Sequence, residues 1–169
     1  QILQNFPEKS SVSYQIASAK LMVLRGDSVG ARTALQRVVL RDPKSADARL
    51  AMGTFLAGQN QTTEALAEFK AAAELAPVNS TARLKYAAYL SLTGSVKEAV
   101  SYLTDLTKQV PDYLPAWRAL AQIAMGEKKF DEAHSRLQSL FAIEPFDYEG
   151  RVLRARLDGA QITPELIPQ

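Results

Sequence analysis

Pro43, Pro77, Pro111 and Pro145 stand 34 residues apart with no slippage, and nothing else in the 169-residue chain restricts its fold so strongly. An interval that never gains or loses a residue marks a repeated module, each copy a small supersecondary unit that buries its apolar face against its neighbours. Placed at that period, Ala31, Ala65, Ala99 and Ala133 fall in one column, Leu35, Phe69, Leu103 and Leu137 in the next, and Val38, Ala72, Leu106 and Leu140 in a third. Four units follow, at residues 12–45, 46–79, 80–113 and 114–147.

Within each unit, apolar and small residues recur at three-and-four spacing on both sides of a turn signal, the pattern of two helices joined by a tight turn. Gly26, Asn60, Gly94 and Lys128 share the turn column; a left-handed backbone is cheap for Gly and tolerable for Asn. The spacing predicts first helices near residues 12–25, 46–58, 80–93 and 114–126, and second helices near 29–41, 62–75, 96–108 and 130–142. The prolines end the second helices, because proline disfavours a helical residue before it and lacks the N–H a continuing helix needs. The alanine column is small because the two helices of a unit are expected to cross there.

The fourth unit carries Trp117, Leu120, Ala121, Ala133, Leu137, Leu140 and Pro145, and the second carries Met52, Gly53, Leu56, Ala65, Phe69, Ala72 and Pro77. On these residues the chain resembles the tetratricopeptide repeat (TPR) family, with Ala121 where that pattern usually has glycine and Ala124 where it has tyrosine. The first unit departs most, with Gln15 and Ser18 at positions that are usually apolar. The resemblance implies an all-α fold, a superhelical solenoid of antiparallel helix pairs whose concave face is lined chiefly by first helices. Arrays of this alanine-rich kind also resemble segments of bacterial proteins that support exopolysaccharide synthesis and export.

Beyond the fourth unit, residues 148–158 read as one more first helix, suited to a capping role with Val152, Leu153 and Leu157 packed back and Arg151 and Arg154 in water. Thr163 with Pro164 resembles a helix start inside a C-terminal stretch at 159–169, and Ile2–Phe6, within residues 1–11, resembles the last turn of a preceding second helix. Both ends read as cut from a longer array.

Composition narrows function by exclusion. Twenty basic and eighteen acidic side chains leave a net charge of +2, with no clustered basic footprint for nucleic acid. No apolar stretch approaches the roughly 20 residues that span a bilayer. Residues 1–10 lack the pattern of a secretory signal, and the absence of cysteine leaves periplasm and cytoplasm both open. His134 is the single histidine, and no phosphate loop, metal-ligand cluster or nucleophile elbow occurs, so neither an enzyme activity nor a cofactor is expected. Glu64, Glu98 and Glu132 recur at second-helix starts, where a carboxylate favours the helix dipole. Tyr86, Tyr89, Tyr102 and Phe69 read as packing, and Trp117 as a member of the family's core column.

The family resemblance also implies a protein or peptide partner in the groove. Its groove columns fall on Ser13, Ile16, Lys20 and Val23, on Asp47, Leu50, Thr54 and Ala57, and on Thr81, Leu84, Ala88 and Ser91. Arg118, Gln122 and Met125 follow, then Glu149, Val152 and Arg156. One column runs Ile16, Leu50, Leu84 and then switches to Arg118, which suggests an apolar near end and, with Arg156, a far end suited to an acidic segment. The carboxylate clamp of some family members, which captures chaperone tails, needs lysine where Ile16, Leu50 and Leu84 stand and asparagine where Lys20, Thr54 and Ala88 stand, so that role is disfavoured. The expectation is a non-catalytic protein-interaction scaffold. The alternatives are a non-catalytic arm of a larger enzyme or polysaccharide export assembly, and an array that self-associates end to end.

Overall fold

The computed structural model describes residues 11–160, and within them every regular element is a helix. In chain order these are α1 (Val12–Leu24), α2 (Ser28–Arg41), α3 (Ala46–Gly58), α4 (Thr62–Leu75), α5 (Thr81–Leu92), α6 (Val96–Gln109), α7 (Leu114–Gly126), α8 (Phe130–Ile143) and α9 (Tyr148–Ala160). The eight helices of the four units lie within one residue of the bounds expected from spacing. The expectations placed on Ile2–Phe6 and on Thr163 with Pro164 fall outside the described residues.

The turn column behaves as its chemistry requires. Gly26, Asn60, Gly94 and Lys128 all have positive φ, at 81°, 60°, 92° and 59°. After each, the next N–H reaches back to a carbonyl five residues earlier: Asp27 to Met22 (2.9 Å), Gln61 to Leu56 (3.0 Å), Ser95 to Leu90 (2.9 Å) and Lys129 to Ala124 (2.9 Å). This closure satisfies carbonyls that a helix end leaves unpaired. Lys128 adopts the same geometry without glycine's freedom, at a steric cost of about 1–2 kcal/mol.

Short polar side chains cap the starts of α1, α2, α3 and α9, while α4, α6, α7 and α8 begin without a side-chain cap bond. Ser11 and Ser45 accept from the N–H of Tyr14 and Ala48, each at 3.2 Å. Asp27 and Asp147 accept from Gly30 at 2.8 Å and Gly150 at 2.6 Å. Glu64, Glu98 and Glu132 lie in the first turns of α4, α6 and α8.

The chain divides into two compact units, Gln1–Tyr86 and Ala87–Gln169, the division falling inside α5. In the first, α1 pairs with α2 and α3 with α4, and Ala31 and Ala65 are fully buried where the expected crossings lie. Gly53 lets α3 come close to α4, for a Cβ built there meets the Phe69 ring at 3.0 Å. Gln15 and Ser18, the departures noted in the first repeat, are half-buried. In the second unit, Ala99 and Ala133 are likewise fully buried, and α7, α8 and α9 share a core of Ala121, Ala124, Leu137, Leu153 and Leu157. Burying a leucine such as Leu137 or Leu157 contributes about 1.5–3 kcal/mol. The aromatic residues pack as expected, with Phe69, Tyr86 and Tyr89 buried and Tyr102 half-buried.

In the last helix, Leu153 and Leu157 are buried, Val152 is half-buried, Arg151 is exposed and Arg154 is half-buried. Arg151 lies over the Phe146 ring, 5.0 Å from its centroid, and Arg154 pairs with Asp158 at 3.1 Å. Both guanidiniums find local partners because a polar face replaces the Trp117 and Leu120 columns of α7, and long cationic stems cover apolar surface while their heads stay hydrated.

Candidate partner-binding face

The residues assigned to the groove lie on the first helices of each unit. In the first unit, Ile16 is buried, so it walls the face without projecting from it. Lys20 and Thr54 are exposed, and the Thr54 hydroxyl donates to the Leu50 carbonyl at 2.8 Å in its own helix. Leu50 is half-buried against Ala72, Ala76 and Ala82, and with Leu75 and Pro77 it lines a crevice of about 360 Å³. Leu84 is also half-buried. This unit therefore presents a shallow aliphatic strip with hydroxyl and lysine side chains beside it.

The second unit holds a larger opening. Ala88 and Ser91 on α5, Ala119 and Gln122 on α7 and Leu103 on α6 line an apolar cleft of about 410 Å³ with Glu127 at its edge. Ala88 and Ser91 on α5 and Ala119 and Gly126 on α7 are the small residues of its lining, and Gln122 and Ile123 the larger ones on α7. A Cβ on Gly126 would meet nothing within 4 Å. The structure thus brings Ala88 and Gln122 together, while Arg156 is exposed on α9.

Arg118 is engaged from within the protein. Its guanidinium pairs with Asp147 at 3.3 Å and with Glu149, and its side chain is only 20% exposed. Asp147 is 10% exposed and uses its other oxygen to cap α9 at Gly150. One carboxylate therefore ties α7 to the start of α9 and holds the first turn of α9 at the same time. Burial raises the Tyr113 phenol above its usual pKa, and the nearby Arg118 charge partly opposes that shift. An incoming carboxylate at Arg118 would have to compete with two already in place, so the leucine-to-arginine switch in this column is explained inside the fold.

Nothing in the sequence spacing pairs Asp147 and Glu149 with Arg118, which lies 29 and 31 residues earlier. The available signal was the Asp-x-x-Gly spacing at Asp147–Gly150, the same as at Asp27–Gly30, which marks a helix start and places a carboxylate beside it. His134 is half-buried with Nε2 3.8 Å from Asp158, a contact between α8 and α9. Among the described residues, no group of three or more His, Cys, Asp or Glu could hold a metal, and no helix is long and apolar enough to cross a membrane.

Tetratricopeptide repeat models match residues 25–80, 56–123 and 90–157. The chain belongs to the tetratricopeptide repeat family. No curated protein matches its sequence. Solved structures show the same fold at low identity. A tetratricopeptide repeat protein from Parabacteroides merdae is similar with a TM-score of 0.66 and 17% identity over 86% of this chain, which spans 58% of that protein's chain. The Pseudomonas aeruginosa pilF protein gives 0.67 and 18% over 88% of this chain and 68% of its own. YrrB, described as a TPR protein with an unusual peptide-binding site, gives 0.63 and 19% over 88% of this chain and 76% of its own. TPR folds are known for protein–protein interaction scaffolds and are generally non-catalytic.

Proposed function

We propose that this TPR chain is a non-catalytic interaction module that takes an extended partner segment on the side carrying its first helices, with an uncharged apolar side chain of the partner seated in the α5–α7 cleft of the second unit. The observation that carries this reading is the cleft itself, whose volume of about 410 Å³ and apolar floor suit one anchoring side chain. Gln122 beside it supplies an amide for a partner main chain. A peptide site in YrrB, a protein of the same fold, supports the class of ligand.

The test is selection of short peptides displayed against the purified protein, followed by affinity measurement on Gly126→Leu. That substitution fills the cleft from a position with free space and ordinary φ. The expected result is selected peptides sharing one apolar anchor, with binding lost in the variant. Selection of acidic peptides without an anchor, or affinity unchanged in Gly126→Leu, would sink the reading.

A second reading, self-association, rests on α1. Tyr14 and Leu21 are 40% and 54% exposed, while the equivalent Ala48 and Phe55 of α3 are buried at 0% and 8%; Leu24 beside them is 82% exposed, as its counterpart Leu92 is at 80%. A face that an internal repeat covers is left open on α1, and such a surface favours association with another helix.

A further inference from the structure

Each of the four prolines that set the repeat has a carbonyl that the turn around it does not use. Around Pro43, Pro111 and Pro145, the closing bonds run instead to the residue before: Ser45 N–H to Asp42 O (3.1 Å), Tyr113 to Val110 (3.1 Å) and Asp147 to Glu144 (3.2 Å). A side chain six residues later bonds the proline carbonyl in every case. Arg49 Nε donates to Pro43 O at 3.0 Å and Arg83 Nε to Pro77 O at 3.2 Å. Trp117 Nε1 donates to Pro111 O at 2.8 Å, and an Arg151 Nη to Pro145 O at 3.4 Å. All four donors stand in the fourth column of a repeat.

We infer that this column is a junction latch in which indole and guanidinium are interchangeable donors, and that the latch fixes the direction in which each first helix leaves the preceding turn. Both groups are flat, both carry an N–H several bonds out from the backbone, and neither can accept. The acceptor is a carbonyl left over where proline has stopped a helix, so the bond satisfies a main-chain group that would otherwise rely on water. The column also sits one residue before Leu50, Leu84, Arg118 and Val152. A latch in the first turn therefore sets where the face-forming residues of α3, α5, α7 and α9 point, without touching a ligand. Trp117 belongs to the same column as three arginines because of its N–H, and its ring is an addition to that shared role.

Trp117 is the single tryptophan, so its indole N–H gives one resonance that reads the latch directly. The expected result is an indole proton exchanging at least tenfold more slowly than that of free tryptophan. Trp117→Phe keeps a ring and removes the donor. It is expected to lower the melting temperature by on the order of 3 °C and to speed amide exchange in residues 112–116. Trp117→Arg installs the donor used at the other junctions and should leave the exchange of 112–116 at the parent rate. The reciprocal pair separates the donor from the packing: Arg83→Leu is expected to speed exchange at 78–82, and Arg83→Trp to restore it. An indole proton that exchanges as fast as free tryptophan overturns the latch. So does junction exchange that follows side-chain size and not the presence of an N–H.

Discussion

At the scale of single residues, the repeat columns vary in ways that compensate. Gly53 faces Phe69, whereas the same two columns elsewhere hold alanine and leucine, as at Ala87 with Leu103 and Ala121 with Leu137. The larger ring on the second helix and the missing Cβ on the first are one packing solution, since a Cβ on Gly53 would stand 3.0 Å from the ring. Gly53→Ala alone is expected to destabilise by about 1–2 kcal/mol, because overpacking outweighs the helix propensity gained. In a Phe69→Leu background the same change should be neutral or stabilising by up to about 1 kcal/mol. Chemical denaturation of the four proteins gives the coupling, and strictly additive effects would exclude the pairing. The lone glycine of this column was visible in the sequence; its reason was not, because it lies 16 residues away on the next helix.

At the scale of elements, helix bounds were legible almost throughout, because caps, turn residues and prolines are local signals read in register four times. What escaped was the electrostatics of α9. At its hydrated surface Arg151 stacks on Phe146 and Arg154 pairs with Asp158, and its N-terminus receives Arg118 from α7. Asp147 therefore acts twice, as cap and as ion-pair partner. Asp147→Ala is expected to cost roughly 2–4 kcal/mol, the sum of a lost cap and a mostly buried arginine stripped of one partner. Asp147→Asn keeps an oxygen for the Gly150 N–H and should lose clearly less. Denaturant midpoints of both variants check this, and equal losses would mean that the cap contributes nothing.

At the scale of the whole molecule, the outward surfaces of the first and last described helices differ. The exposed side of α1 carries Tyr14, Leu21 and Leu24, while α9 exposes Arg151, Arg156 and Asp158 with Tyr148 at its start. Apolar surface left uncovered by the stacking rule of a repeat protein is where association begins. If α1 mediates self-association, light scattering will show an average mass that rises with concentration. Leu21→Glu with Leu24→Lys will hold it at the monomer value, with little loss of stability because both side chains are already exposed. A parent protein that stays monomeric at high concentration removes that reading and leaves the cleft reading untouched.

The sequence by itself determined the period, the helix pairs, the left-handed turns and the membership of each column, since all of these follow from residue types at short or fixed spacing. Pro43, Pro77, Pro111 and Pro145 placed the ends of the second helices, and the turn column placed those of the first. Only the tertiary structure decided which members of a column stay open on the surface and which are used internally. Ile16 is buried, Arg118 is held by Asp147 and Glu149, and Ala88 and Gln122 line one open cleft. The physical reason is that a repeat fixes where a side chain stands, while its availability depends on charges and volumes brought beside it by other helices.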